Sequence, residues 1–175
     1  MDEKAQNIFI PLKGLKKGGH SFSFAIDGEF FQTFGNTQIK DADCTVKADV
    51  VRQSTLMSVQ CRVGGFVVVE CDRCLDDLAI KVDVERELTV GFGIVDIDDA
   101  SDEEDVIVVN EGDDQVDISQ FIYDYVCLSL PIVKVHPDGK CNPEMLKRLA
   151  GDPEGESHAE GGNSPFSGLK DLLKK

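Results

Sequence analysis

The sequence predicts an α+β fold: an antiparallel β-meander, curled toward a barrel, packed against one main helix, with a tethered C-terminal amphipathic helix. Three observations predict it. Apolar residues recur at every second position from Cys44 to Phe92. The period then changes to that of a helix between Ile118 and Ser129. A stretch almost without apolar residues, 150–164, is followed by a short apolar stripe at the C-terminal end. Domain boundaries follow from the same shifts: one α+β domain over 1–148, a disordered acidic linker over 149–164, and a docking helix over 165–175.

The period-two segment carries most of the fold. Cys44, Val46, Ala48 and Val50 alternate with Thr45, Lys47 and Asp49. Met57, Val59, Cys61 and Val63 alternate with Ser58, Gln60 and Arg62. Gly64-Gly65 reads as a turn, after which Phe66–Val69 runs back. Leu78, Ile80, Val82, Val84, Leu88, Val90 and Phe92 keep the alternation, with Arg86 the only exception. Side chains on a strand point to opposite faces in turn, so this is a sheet with one buried face. Upstream, residues 8–35 read as extended. Phe22, Phe24 and Ile26 alternate up to Asp27-Gly28, which reads as a two-residue hairpin turn.

Between Ile118 and Ser129 the apolar positions Ile118, Phe121, Ile122, Tyr125 and Val126 recur at helical spacing. This predicts one helix over 117–130, with Asp117 as its N-cap and Pro131 ending it. Phe121 and Tyr125 share the apolar face, so they read as core rather than as a base-stacking platform. At the end of the chain, Phe166, Leu169, Leu172 and Leu173 form an apolar stripe, with Ser164 as the cap and Pro165 at the first helical position.

Charge limits the function classes. The 175 residues carry a net charge of −15, with 29% charged and 41% hydrophobic residues. Seven acids fall within the ten residues 96–105, whereas residues 1–20 and 165–175 each carry a net +2. An acidic surface repels phosphate backbones, so it suits a basic partner, with contacts to RNA left to the basic ends. The acidic run lacks the glycine and terminal glutamate of a calcium loop. Val106–Val109 within this region can pair as a short strand. The polar N-terminus lacks the apolar core of a signal peptide and no run of eighteen apolar residues exists, which predicts a cytoplasmic protein with reduced thiols.

Six cysteines are therefore core residues, metal ligands or redox groups. Cys44, Cys61 and Cys127 lie in strand or helix patterns and read as core. Cys71-Asp72-Arg73-Cys74 is a thiol pair on a turn between strands, and His136 with Cys141 follows the helix. Together they supply three sulfurs and one nitrogen, the donor set of a tetrahedral zinc site. A redox pair and a reduced pair that only shapes the turn are the competing readings. Asp72, Asp76 and Asp77 beside the pair are expected to raise its thiol pKa, against redox chemistry. Ser/His/Asp sets, nucleotide-binding glycine loops and dinucleotide fingerprints are absent from the sequence. The expectation is a protein that is not an enzyme and has no small-molecule substrate or membrane partner.

Motifs in order along the chain resemble the YceD-like bacterial family, linked to accumulation of large-subunit (23S) ribosomal RNA. They are Ile10-Pro11-Leu12-Lys13-Gly14-Leu15; Cys71-Asp72-Arg73-Cys74-Leu75; Val108-Val109-Asn110-Glu111-Gly112; Leu128-Ser129-Leu130-Pro131 with His136 and Cys141; and Asn163-Ser164-Pro165-Phe166 with Leu169, Lys174 and Lys175. The last departs from the family in placing Ser164 between Asn163 and Pro165. The resemblance implies a non-enzymatic factor in large ribosomal subunit biogenesis and carries over no catalytic residue. A basic ribosomal protein or assembly intermediate is then the expected partner of the acidic domain. Arg73, Phe166, Leu169, Leu172, Lys174 and Lys175 are the expected contacts to 23S rRNA or a partner. A direct RNA-binding module and a zinc-stabilised structural or regulatory protein remain the alternatives.

Overall fold

The alternation between Cys44 and Phe92 becomes three long strands in the computed structural model, which describes residues 6–53, 56–93, 105–110 and 112–150. They are β3 (Ile39–Arg52), β4 (Leu56–Glu70) and β5 (Asp77–Phe92), preceded by β1 (Phe9–Pro11) and β2 (Gly18–Asp27). β2 to β5 form an antiparallel meander. β6 (Asp105–Val109) then adds to β5 in parallel, so the sheet is not antiparallel throughout. The order β2-β3-β4-β5-β6 leaves β2 and β6 as edges, so this sheet is open rather than a closed barrel. β7 (Gln115–Asp117) pairs with β1 in a separate two-stranded ribbon.

One sheet face is dry. Val46, Val63 and Val59 are buried there, and Val46 stands opposite Val63. The core continues through Ile8 and Ile10, Phe30 and Phe31, and Phe121, Ile122 and Val126. These come from the β1 segment, from α1 (Gly28–Thr33) and from α2 (Ser119–Ser129). The opposite face is polar, where Arg62 reaches Glu85 on the neighbouring strand at 3.1 Å. Arg86, the one break in the period of β5, lies where the apolar cover thins. Its guanidinium sits 5.1 Å from the centroid of the Tyr125 ring, a cation–π contact in place of an aliphatic one.

Two turn readings are corrected. Gly64-Gly65 is no turn: β4 runs unbroken through both residues. Gly65 adopts φ +153°, and a Cβ there would meet the Asp43 carbonyl oxygen at 2.1 Å. The glycine is needed for close approach of β3, not for chain reversal. Asp27-Gly28 is no hairpin turn either. Asp27 Oδ1 accepts from the Glu29 N–H at 3.0 Å and caps α1, and a Cβ on Gly28 would lie 2.9 Å from Asp41 Cα. Asp at an N-cap and Asp in a tight turn use the same hydrogen-bonding side chain, so the dipeptide alone does not separate them. Glu29-Phe30-Phe31 is accordingly helical rather than extended.

The main helix spans Ser119–Ser129 within the predicted 117–130. The N-cap is Ile118 rather than the expected Asp117, which ends β7, although Asp117 Oδ1 accepts from the Ser119 N–H at 2.8 Å; Leu130, before Pro131, has extended backbone. Phe121 is buried, Tyr125 and Cys127 only half-buried, so the last two are core at its margin. A third helix, α3 (Pro143–Leu149), was not expected. Asn142 accepts from the Glu144 N–H at 3.0 Å, with Pro143 in the first turn. The predicted boundary at 148 lies inside α3, one residue before its last. The linker beyond 150 and the helix predicted over 165–175, with Phe166, Leu169, Leu172, Lys174 and Lys175, lie outside the described residues. Among the described residues no helix is long and apolar enough to cross a membrane.

Gly65→Ala is expected to lower stability by about 2–4 kcal/mol in urea titration, because backbone must move, whereas Gly64→Ala, with open space around it, changes it by under about 1 kcal/mol. Equal losses would contradict the close-approach account. Burial pushes the Cys61 thiol up to about 12, and burial with Asp43 beside it pushes Cys44 up to about 11. Both are expected to resist iodoacetamide at pH 8 in the folded protein; mass-spectrometric labelling of either within minutes would contradict their placement.

Candidate metal centre

The β4–β5 pairing extends from Leu56 opposite Gly91 to Glu70 opposite Asp77. Its far end leaves only residues 71–76 to turn the chain. The Cys71 N–H donates to the Asp76 carbonyl and the Leu75 N–H to the Cys71 carbonyl, each at 2.9 Å. Leu75 takes φ +64° to close this loop, a left-handed conformation that costs a side-chain-bearing residue about 1–2 kcal/mol. The result is a knuckle with both sulfurs turned inward. Cys71 and Cys74 are fully buried, while Asp72, Arg73 and Leu75 are exposed. The turn is thus at the surface, as expected, but its thiols are not.

The segment after α2 comes back to this knuckle. The Asp72 N–H donates to the Lys134 carbonyl at 2.7 Å, and the Lys134 N–H donates to Asp72 Oδ2 at 2.6 Å. This reciprocal pair aligns the next residues, so that His136 Nδ1 lies 3.4 Å from Cys74 Sγ. Pro137–Lys140 then forms a turn closed by the Lys140 N–H on the Pro137 carbonyl at 3.0 Å. Gly139 at φ +77° makes this turn possible, and Cys141 re-enters the buried side. The four-residue spacing between His136 and Cys141 is therefore a tight turn, not an irregular loop.

Cys71 Sγ, Cys74 Sγ, Cys141 Sγ and a ring nitrogen of His136 all lie within 4.8 Å of one another. A tetrahedron with metal–sulfur bonds of about 2.3 Å and a metal–nitrogen bond of about 2.0 Å separates S from N by about 3.5 Å. The 3.4 Å between Cys74 and His136 matches that edge. His136 Nε2 faces the Asp77 carbonyl at 3.2 Å, so the ring turns its other nitrogen to the sulfurs. Ligating histidines are held this way by a carbonyl behind them. The cluster can hold a metal ion, and four protein donors leave no open coordination position. Such a site is structural in kind: it joins the β4–β5 turn to the chain after α2.

The electrostatics correct one expectation. Burial works against a charged Cys71, yet backbone donors at Cys74, Arg73 and His136 outweigh it and bring the thiol down to about 6. The neighbouring aspartates do not decide it: Asp72 binds the Lys134 N–H, and the Asp77 carboxylate is paired with Lys40 at 2.8 Å. Its hydrogen bonds, first to Cys71 and then to Cys74, hold the His136 pKa above the usual histidine value. Burial, then the two neighbouring thiols, raises Cys141. The three free thiols lie where an exchange partner would have poor access.

Arg73 is exposed at the knuckle, clear of the donors it separates in sequence. The reading from sequence missed Asp72 as the clamp on Lys134, since an acid between two cysteines gives no sign of which distant N–H it will bind. It also missed three exposed apolar residues around the end of α2: Leu128, Ile132 and Val133.

The family described as large ribosomal RNA subunit accumulation protein YceD matches residues 59–173, about two thirds of the chain. The chain belongs to this family. Its name ties the protein to accumulation of the large ribosomal RNA subunit. The YceD match contains all four donors of the cluster, whereas β1 to β3 lie before it. Neither a curated protein nor a solved structure matches the chain.

Asp72→Ala removes a charged acceptor from the Lys134 N–H. Amide hydrogen exchange at Lys134 and its neighbours is expected to accelerate roughly tenfold, the equivalent of one charge-assisted hydrogen bond. Unchanged exchange would show that the clamp does not hold this segment.

Proposed function

We propose that this YceD-family chain is a non-enzymatic factor in large ribosomal subunit biogenesis that supports 23S rRNA accumulation in the cytoplasm. The acidic domain binds a basic ribosomal protein or an assembly intermediate. Arg73 and the C-terminal residues Phe166, Leu169, Leu172, Lys174 and Lys175 supply the contacts to rRNA or to the partner, the cations serving the phosphates. The family match is the observation that carries this reading. The net charge of −15 supports a basic partner. An arginine left exposed on a rigid knuckle supports a phosphate contact there.

Zinc is the metal this reading assigns to Cys71, Cys74, His136 and Cys141. Three thiolates and an imidazole suit zinc, which needs no redox chemistry and accepts tetrahedral sulfur and nitrogen. When bound, it supplies a cross-link between the β4–β5 turn and the chain after α2. The residues then do the rest: the knuckle holds Arg73 outward, and Asp72 fixes the approach of Lys134.

Protein purified without added metal is expected to contain close to one equivalent of zinc by elemental analysis, and a Cys74→Ser variant much less. Below a tenth of an equivalent in folded protein, the metal assignment fails. The biogenesis role is tested separately: the protein is expected to co-sediment with large-subunit precursors, and its deletion to lower 23S relative to 16S rRNA. Absence from those fractions together with unchanged 23S levels would end that reading.

A further inference from the structure

Leu128 is the last apolar residue on the outer side of α2, and three quarters of its surface, 76%, faces solvent. Two hollows flank it. One, of about 390 Å³, is lined by Asp105, Phe121, Asp124, Tyr125, Cys127 and Leu128. The other, of about 240 Å³, lies toward β5, between Asp83–Arg86 and the end of α2. Both are bordered by Tyr125 and Leu128, so they meet at Leu128 and form one groove between α2 and the β5–β6 edge.

The charges of this groove are unequal. Asp83 is met by Lys81, and Glu85 by Arg62. Asp105 and Asp124 have only neutral partners, the Tyr125 hydroxyl and the Gln120 amide, and neither forms an ion pair among the described residues. Asp105 is also the last of the seven acids in residues 96–105. An exposed aliphatic anchor and an aromatic wall thus lie beside Asp105 and Asp124, while Arg86, held over the Tyr125 ring, is the one cation lining the groove. Hydrophobic residues in a recess with uncompensated acid at the rim favour an amphipathic segment with cations beside its apolar positions.

We infer that the groove along α2, floored by Phe121, Tyr125 and Leu128 and rimmed by Asp105 and Asp124, is the docking surface for a basic amphipathic helix of a large-subunit ribosomal protein. This rests on the proposed function and says where the basic partner binds. Leu128 fills the gap between two apolar residues on successive turns of that helix. Lysines or arginines on its flanks meet Asp105 and Asp124. The same groove is one face of the molecule away from the outer surface of the sheet, where Val51 is also half exposed.

The test uses the full chain, with the basic proteins released from purified large subunits by high salt as the probe. A carbodiimide joins lysine amines directly to carboxylates, and mass spectrometry locates the links. Links from ribosomal-protein lysines to Asp105 and Asp124 are expected. Leu128→Asp is expected to weaken binding about 30-fold, the loss of one anchor residue. Val51→Asp, on the opposite sheet face, is expected to leave it unchanged. Circular dichroism confirms that both variants fold. Links confined to acids elsewhere on the chain overturn the location while sparing the partner reading. Links from Asp105 or Asp124 to Lys170, Lys174 or Lys175, or to a second copy, assign the groove to another occupant and overturn the inference. No link to any large-subunit protein overturns both readings.

Discussion

The unbroken register of β4 against β5 is the constraint on which the candidate site depends. These strands pair from one end to the other, and the chain must reverse within the six residues left over, 71–76. A strand has only two faces, so a slip of one residue would move every apolar side chain of β4 to the wet side. The buried face of Val59, Cys61, Val63, Val67 and Val69 prevents that slip. It thereby fixes the position of Cys71 and Cys74 to the side on which α2 packs. Gly65 belongs to the same constraint, because any side chain there would push β3 from the register that β4 needs.

The returning segment completes the site by two different forces. Helix α2 is anchored by apolar burial and by Ser119, whose hydroxyl accepts from the buried Ile8 N–H at 2.7 Å. Past Pro131 there is little burial to guide the chain: Ile132 and Val133 are exposed. Two hydrogen bonds to Asp72 take over there, and the cysteine and histidine donors meet behind them. Directed polar contacts hold what hydrophobic packing does not reach. A metal ion in such a place contributes most where the core contributes least.

Much of this was legible because the signals were periodic. The strands from Cys44 to Phe92, the helix before Pro131, and the donor set at 71, 74, 136 and 141 follow from spacing and residue chemistry alone. Two failures share one cause. Gly64-Gly65 and Asp27-Gly28 were read as turns because glycine there permits a reversal, while the structure uses it for close packing against Asp43 and Asp41. A sequence records that a side chain is missing, not which neighbouring strand requires its absence. Arg86 looked like a break in a strand, and its partner Tyr125 stands 39 positions away on another element. The parallel placement of β6 was equally hidden, since pairing direction leaves no mark on the four-residue apolar run Val106–Val109.

The claim that separates a scaffold with a built metal centre from a sheet with a reduced thiol turn is the identity of the donors at one zinc ion. X-ray absorption at the zinc edge of protein purified from cells reads it directly. The account predicts a first shell of three sulfurs at about 2.3 Å and one nitrogen at about 2.0 Å. A shell dominated by oxygen, or a fully folded protein whose spectrum shows no bound zinc, would contradict it.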